Sequence, residues 1–264
     1  MAAARNLFNQ GTGMTKNFKI TVITVTFNSA ATLEETIKSV LSQEYDGEVE
    51  YMIIDGGSTD GTVEIIRKYQ DKLSYWVSEA DYGLYHAMNK GLERATGEII
   101  GIINSDDWYY PGALSKVASA MKDKDLKTHI FWGDIVYGDE VIKGWRPLNL
   151  RHGAFGVHPA MFCPRAVYES IGKYRLWYKI LSDYDFMYRA IHVHGIKAVY
   201  LPEKIAYFRL GGLASRHIFR AYTEEMLAKV ENGETVVWAL GEYLLKLLRY
   251  YLLRLFRHSP RTRQ

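Results

Sequence analysis

The 264-residue sequence predicts an α/β fold, in which a mostly parallel central sheet carries helices on both faces and a C-terminal amphipathic helical extension follows. Through the first half of the chain, short apolar stretches alternate with stretches of helical periodicity. Such alternation is typical of parallel strands joined by helices. Near the C-terminus, leucine and basic residues instead repeat at helical spacing, which predicts one long amphipathic helix.

The first half supplies four predicted strands. Alternating β-branched residues predict the first strand, and a short apolar stretch after Gly97 predicts the fourth, covered on both faces. The predicted strands comprise residues 19–27, 49–54, 73–78 and 99–103. A capping box of Thr32 and Glu35 is expected to begin the first intervening helix.

The second half is less regular. We expect a helix that Ser182 caps and Gly195 ends. The other predicted elements are helices at 111–122 and 164–171, a hairpin of 130–137 and 140–145, and a strand at 198–201. Because no linker rich in proline, glycine or serine separates the halves, we expect them to share one core.

Composition excludes several classes of protein. The formal net charge of +3 is too small to argue for a nucleic-acid partner, and none is expected. The single cysteine, Cys163, excludes an internal disulfide and suits a reducing compartment. No secretory signal is visible, and residues 1–18 are interpreted as a flexible leader, with Met14 as the natural start.

Polar residues follow three of the predicted strands, at Asn28, Asp55 and the stretch 104–107. The carboxyl ends of parallel strands meet at one crevice, where α/β proteins bind ligands. Asp55 could accept hydrogen bonds from a base or ribose, and the glycines after it would let a ligand approach the backbone. The alternatives are a tight turn at Asp55 and helix caps at Asp106 and Asp107.

Four segments, at residues 25–28, 54–62, 78–91 and 103–107, resemble the family 2 glycosyltransferases. These are inverting enzymes of the GT-A, Rossmann-like fold, and the segments look most like bacterial enzymes of capsule, O-antigen or exopolysaccharide synthesis. The resemblance runs from Ile20 to about Gly212. It implies a GT-A domain at 19–214, with a nucleotide-binding half at 19–107 and an acceptor half at 108–214, before a helical extension at 215–264.

The resemblance also implies a nucleotide-sugar site. The residues it assigns to the nucleotide are Thr26, Phe27, Asn28, Asp55, Gly57, Asp81, Asn89, Asn104 and Ser105. A divalent metal, Mn²⁺ or Mg²⁺, would bind Asp106, with Asp107 as a second candidate. The family has an acid where this chain has Asn104, and an amide oxygen adds no negative charge, so metal affinity should be weaker.

An inverting transfer needs a base for the acceptor hydroxyl. By the resemblance Asp183 is that base, although Ser182 replaces the acid that usually precedes it; a helix cap is the alternative. Asp185 is expected to orient neighbouring groups. Weaker candidates for the acceptor or donor-sugar site are Trp132, Asp134, His158 and Arg209, which could instead be core, structural or surface residues.

The tail at 235–258 carries leucines on one helix face and Lys246, Arg249, Arg254 and Arg257 on the other. Its charges are too frequent for a membrane-spanning helix. A basic amphipathic helix lying on an anionic membrane surface fits the pattern. The alternatives are packing on the protein's own core or on a second subunit.

Together these features predict an inverting hexosyltransferase that uses a nucleoside-diphosphate sugar, UDP-sugar being favoured. Its acceptor would be a hydroxyl of a lipid-linked glycan in bacterial surface polysaccharide synthesis, at the cytoplasmic face of the inner membrane. A sugar-phosphate nucleotidyltransferase would need a glycine-rich basic loop after the first strand, which residues 26–29 lack. A non-catalytic sugar-nucleotide-binding or scaffold protein stays open because of Asn104.

Overall fold

The structure is a computed structural model that describes residues 17–143, 158–209 and 216–257, with side chains as far as residue 252. The predicted leader, the end of the predicted hairpin after Lys143 and the last residues of the resembling region therefore lie outside the described residues, apart from Asn17 and Phe18.

The described residues form one mixed sheet. The strands are β1 (Ile20–Thr26), β2 (Val49–Asp55), β3 (Tyr75–Ser78), β4 (Ile99–Asn104), β5 (Trp108–Tyr109), β6 (His129–Tyr137), β7 (Glu140–Ile142), β8 (Met161–Pro164) and β9 (Lys197–Phe208). Their order is β3-β2-β1-β4-β8-β6-β9-β5, with β7 paired to β6. The first four strands are parallel, as are β6 and β9, whereas β8 runs antiparallel to both of its neighbours. The predicted α/β class is confirmed.

Helices cover both faces of this sheet. They are α1 (Leu33–Leu41), α2 (Thr62–Tyr69), α3 (Leu84–Arg94), α4 (Ala113–Met121), α5 (Arg165–Ile171), α6 (Ser182–Tyr188), α7 (Ile218–Glu231) and α8 (Val236–Arg257). Every residue of β1 is buried, because alternate side chains enter different cores. Ile23 and Val25 join a core with α3, α5 and α6, while Ile20 and Val22 join one with α1, α2 and α4.

Two predicted helix caps are wrong. Thr32 makes no side-chain cap bond at α1, and Glu35, the other half of the predicted capping box, pairs with Arg209. Ser182 lies inside α6, and its hydroxyl donates to the carbonyl of Arg175 at 2.8 Å rather than to its own helix. In both cases a side chain that the local pattern assigned to the cap, Glu35 or Ser182, bonds instead to a residue outside its helix.

The helical extension is present as α7 and α8, joined by a buried charge cluster. Glu225 accepts Lys246 Nζ at 2.6 Å and Lys229 Nζ at 2.6 Å. Lys246 therefore faces α7, not the solvent side where the helical pattern placed it. One side of α8 packs on the protein, while Val237, Leu244 and Leu248 on it are exposed. Within the described residues, no helix is long and apolar enough to cross a membrane.

Candidate active site

The parallel strands bring the predicted polar residues together. Thr26 pairs with Asp55, Val25 with Asn104, and Asp55 with Ser78 in the strand register. Because the four strands run the same way, their carboxyl ends lie side by side. The loops after β1, β2 and β4 therefore share one edge of the sheet, as the sequence predicted.

Asp55 organises its own loop at this edge. Its carboxylate is fully buried and accepts the N–H groups of Gly57 at 3.1 Å and Ser58 at 2.9 Å. The hydroxyls of Ser58 and Ser78 also donate to it. Four donors from the protein leave little capacity for a base or ribose. In this structure Asp55 holds the loop after β2 in place through these four bonds.

The loop after β1 is held against the loop after β2. Asn28 adopts a left-handed backbone conformation with φ of 48°, and its Oδ1 accepts Thr59 N–H at 2.9 Å. Its own N–H donates to Ser58 Oγ at 2.7 Å. The neighbouring Phe27 is left 61% exposed at the open edge. An exposed aromatic ring there offers a face on which a base can stack.

Asp81 closes the other side of this edge. A Cβ atom built on Gly56 would lie 2.7 Å from Asp81 Oδ2 and 3.4 Å from the Phe27 ring, so a side chain there would displace the Asp81 carboxylate. Asp81 also accepts the N–H of Gly83 at 2.7 Å, just before α3 begins. Gly57 has φ of 83°, which favours glycine for the turn. Phe27, Gly56, Gly57 and Asp81 thus outline one open rim.

Asn89 has a different role from the one predicted. Its Nδ2 donates to the carbonyl of Tyr174 at 2.8 Å, and its Oδ1 accepts the N–H of Tyr174 at 3.1 Å. Both ends of the amide are therefore used to join α3 to the segment before α6. The structure places Asn89 at the junction of the two halves, with both ends of its amide bonded to Tyr174.

The acidic corner after β4 contains one buried and one accessible carboxylate. Asp107 is 1% exposed, and it accepts the N–H of Arg209 at 2.9 Å and Asn104 Nδ2 at 3.3 Å. Burial, and then the charge of Asp106, raise the pKa of Asp107 to about 8. Because both of its oxygens already accept hydrogen bonds from the protein, the geometry argues against Asp107 as the second metal ligand.

Asp106 suits a divalent cation better. It is partly exposed, and burial raises the pKa of its carboxyl above the usual range. Nearby, Asn104 Oδ1 is buried and has no hydrogen-bond partner among the described residues. An unsatisfied amide oxygen two residues before a partly exposed carboxylate supplies the kind of donors that a hard cation prefers, so Asn104 and Asp106 are the residues that could hold it. The described residues contain no cluster of three acidic, histidine or cysteine ligands.

The remaining polar groups of this corner hold its shape. Ser105 Oγ donates to Ser29 Oγ at 2.8 Å, which links the loops after β4 and β1. Arg209, at the end of β9, donates from Nε to the carbonyl of Asp106 at 3.1 Å. Its guanidinium also pairs with Glu35 at 2.9 Å and is 40% exposed. The sequence predicted that the Arg209 guanidinium could pair with donor phosphates, and its partial exposure leaves that interaction open. Thr26 Oγ1 is buried and has no partner among the described residues.

Asp183, the predicted base, comes from the second half of the chain. It is the second residue of α6 and is partly exposed. Its Oδ1 lies 2.8 Å from the Tyr85 hydroxyl and 2.9 Å from the N–H of Tyr184. Burial raises the pKa of Asp183 to about 6, against the lowering effect of these two donors. Tyr85 stands in the first turn of α3, directly after the Asp81 loop, so one side chain joins Asp183 to the helix that follows the open rim.

The weaker candidates separate into distinct environments. Trp132 is fully buried in the core, and so is not at a sugar site. Asp134 is buried and accepts the Tyr200 hydroxyl at 2.7 Å. His158 is buried against Tyr174, and neither ring nitrogen has a hydrogen-bond partner among the described residues. Burial lowers the pKa of His158 to about 4, so its ring is neutral.

Asp185 lies in α6, where its carboxylate is fully buried. It accepts Arg189 Nε and Arg175 Nη1, each at 3.0 Å, and Asn232 Nδ2 at 2.9 Å. This agrees with its expected role of orienting neighbours. Sequence reasoning missed Tyr85, although it lies inside the resembling segment 78–91. It also missed Glu224 of α7, for which the local sequence carries no signal.

The model of the family described as Glycosyl transferase family 2 matches residues 21–197. An uncharacterised glycosyltransferase of Mycobacterium tuberculosis is 34% identical over 185 residues, which cover 67% of this chain and 70% of that protein. A PGL/p-HBAD biosynthesis glycosyltransferase of Mycobacterium bovis is 29% identical over 235 residues, covering 83% of this chain and 88% of the relative.

Solved structures resemble the fold. Staphylococcus aureus TarS 1–349 in complex with UDP gives a TM-score of 0.66 at 19% identity, over 88% of this chain and 72% of that one. The mannosyltransferase PcManGT from Pyrobaculum calidifontis, in complex with GDP-Man and Mn²⁺, gives 0.65 at 20% identity, over 90% of this chain and 76% of the other. These likenesses confirm the predicted GT-A architecture. The chain belongs to glycosyl transferase family 2 and is a glycosyltransferase.

Proposed function

We propose that this glycosyltransferase moves a sugar, with inversion, from a UDP-sugar to a hydroxyl of a lipid-linked glycan in bacterial surface polysaccharide synthesis. The observation that carries the proposal is Asp183, a partly exposed carboxylate with a pKa near 6, bonded to Tyr85 one turn after the Asp81 loop. A carboxyl of that pKa is mostly ionised at neutral pH and is a stronger base than an ordinary aspartate.

In the proposed reaction, the acceptor oxygen attacks the anomeric carbon while the bond from that carbon to the diphosphate oxygen breaks. The proton of the acceptor hydroxyl passes to the carboxylate of Asp183. Tyr85 fixes the carboxylate by donating to Oδ1. Attack from the side opposite the leaving diphosphate inverts the anomeric centre, and so the base must lie across the crevice from the nucleotide rim.

The nucleotide rim would bind the donor. Phe27 offers an exposed ring for the base, and Gly56 and Gly57 let the nucleotide approach the backbone. Arg209 would pair with the diphosphate. A divalent metal at Asp106 and Asn104 Oδ1, when bound, would offset the charge that develops on the departing diphosphate. The UDP bound by TarS and the GDP-Man and Mn²⁺ bound by PcManGT support a nucleotide-sugar donor.

Calorimetry with UDP, GDP and dTDP, each with and without manganese, tests this donor site. We expect UDP to bind, and to bind more tightly with Mn²⁺. Because Asn104 contributes no charge, the gain should be smaller than a site with two acids would give. Nucleotide binding of equal affinity with and without Mn²⁺ would contradict a metal site at Asp106. The absence of binding by any of the three nucleotides would contradict the donor site as a whole.

A second candidate function is a non-catalytic sugar-nucleotide-binding or scaffold protein, and Asn104 is the observation that favours it. Asp183→Asn separates the two. For an enzyme, transfer should fall by about 10²- to 10⁴-fold because the base is removed, while UDP binding stays unchanged. Asp125→Asn, at an exposed loop aspartate, is the matched control and should keep full activity. Transfer that persists in Asp183→Asn would mean another group is the base.

We also propose that α8 lies on the anionic cytoplasmic surface of the inner membrane. Val237, Leu244 and Leu248 form an exposed apolar stripe along the helix, and the sequence places Arg249, Arg254 and Arg257 beside its C-terminal half. An apolar stripe flanked by arginine matches the interface of an anionic bilayer. Docking there would bring the crevice close to a lipid-linked acceptor.

A further inference from the structure

Glu224 is a buried carboxylate of α7 that the proposed mechanism has not used. It is 5% exposed, and its oxygens accept three consecutive backbone N–H groups, those of Lys179 at 3.0 Å, Ile180 at 2.8 Å and Leu181 at 3.0 Å. Arg220, one turn earlier on α7, donates to it at 2.8 Å. A carboxylate that collects three successive donors fixes the path of that backbone.

The backbone it fixes leads directly into α6. Leu181 immediately precedes the helix, and Asp183 is its second residue. The first N–H groups of a helix have no partner inside it, and negative charge is favourable at that end. Ser182 does not supply a cap, because its hydroxyl donates to Arg175. Glu224 accepts the N–H of Leu181, the residue that precedes α6, and the two N–H groups before it, so it fixes the chain where it enters the helix.

A short series of contacts connects Glu224 with Asp183. The peptide N–H of Ile180 donates to Glu224, and the carbonyl of Ile180 lies 2.6 Å from the Tyr85 hydroxyl. The same hydroxyl lies 2.8 Å from Asp183 Oδ1. Moving residues 179–181 would thus disturb the position of Asp183 relative to Tyr85.

Glu224 also acts on Asp183 through its charge. Burial is the main reason that the pKa of Asp183 is raised, and the negative charge of Glu224 raises it further. Three groups oppose this rise: the Tyr85 hydroxyl from α3 and, within α6, the backbone N–H groups of Tyr184 and of Asp183 itself. Arg220, paired with Glu224, offsets part of the charge on Glu224.

We propose that Glu224 is a positioning residue for Asp183. It holds residues 179–181 so that the carboxylate stays beside Tyr85 and directed at the acceptor hydroxyl, and it does so from the C-terminal extension. The C-terminal extension is thereby part of the active site. This proposal rests on the proposed role of Asp183 as the base.

Two variants of the full chain test it. Glu224→Ala removes every contact, and kcat should fall by about 100-fold, since small misplacements of a reacting group have effects of this size. Glu224→Gln keeps the shape of the side chain and one acceptor oxygen, so its kcat should fall by a smaller factor. UDP affinity and the KM for the donor should not change in either. Thr223→Ala is the matched control, because the Thr223 hydroxyl bonds to the carbonyl of Phe219 in its own helix.

The second readout is the titration of Asp183 itself. Carbon-13 NMR of aspartate-labelled protein should show a lower pKa for Asp183 in Glu224→Gln than in the wild type, because a negative charge has been removed. The acid limb of the kcat profile should shift to lower pH by the same amount. A residue that merely stabilised the fold would change neither, once the folded fraction is corrected for.

The outcomes separate this proposal from the proposed function. If Glu224→Ala retains wild-type kcat, or the pKa of Asp183 is the same in Glu224→Gln and the wild type, Glu224 does not position the base, and the transferase function stands. If the wild-type chain transfers no sugar from any nucleotide donor, the proposed function fails. The NMR titration needs no turnover, and so it still decides whether Glu224 acts on Asp183.

Discussion

Burial raises the pKa of Asp183 to about 6, and this sets an expected pH dependence. As a base, Asp183 works only when ionised. The rate of transfer should therefore increase as pH rises through about 6, and should be level above it until another group titrates. Below that pH the protonated fraction grows and the rate should fall tenfold per pH unit. Measuring kcat from about pH 5 to pH 8 with saturating donor checks this, and a flat profile would contradict it.

Asp55 illustrates what residue-scale reasoning from sequence can and cannot predict. An aspartate at the end of a buried strand, followed by two glycines, predicted a polar group at the carboxyl end of the sheet, and the structure has Asp55 there. Its contacts were not predictable, because they come from Ser58 and Ser78, whose hydroxyl directions depend on two loops. The same holds for Asn89, whose amide is used by Tyr174 from the other half of the chain.

At the scale of elements, α7 connects two parts of the second half of the chain. Its adjacent residues Glu224 and Glu225 contact different parts of the protein: Glu224 contacts the residues before α6, and Glu225 contacts α8. Lys229 is 1% exposed, so its charge lies almost wholly within the protein. A buried cation is tolerated only when it is paired.

Glu225→Ala should therefore destabilise the protein by about 3–5 kcal/mol, because Lys229 and Lys246 would lose their common carboxylate. The free energy of unfolding in urea measures the effect. Glu64→Ala is a suitable control, since the Glu64–Arg67 pair is exposed and such pairs contribute at most about 1 kcal/mol. An equally small effect of Glu225→Ala would show that water reaches the two lysines.

At the scale of the whole molecule, the exposed stripe of α8 predicts binding to anionic vesicles. Sedimentation with phosphatidylglycerol vesicles should bring down the wild type and leave Leu244→Glu/Leu248→Glu in solution, because each glutamate places a charge in the bilayer interface. Binding should weaken in high salt. Val141→Glu/Ile142→Glu on β7 is the matched control, since it makes the same kind of change at an exposed site remote in sequence from α8.

Three results would contradict the membrane proposal. The first is wild-type protein that stays in solution when anionic vesicles are sedimented. A concentration-dependent dimer that the Leu244→Glu/Leu248→Glu change dissociates, with no vesicle binding, would show that the stripe is covered by a second copy. Deleting residues 235–264 without changing membrane fractionation would exclude a role for the tail altogether.

The sequence by itself determined the class of fold, the strand ends that form the crevice and the segments that mark family 2. Those features depend on local periodicity and on turn residues, which act over a few positions. Only the tertiary structure decided which carboxylates are accessible and which are occupied. Asp106 remains open while Asp107 is bound by Arg209, 102 residues away, and Glu224 reaches Ile180 across 44 residues. Such contacts bring together groups that no local pattern relates, because burial and partner are set by packing between distant elements.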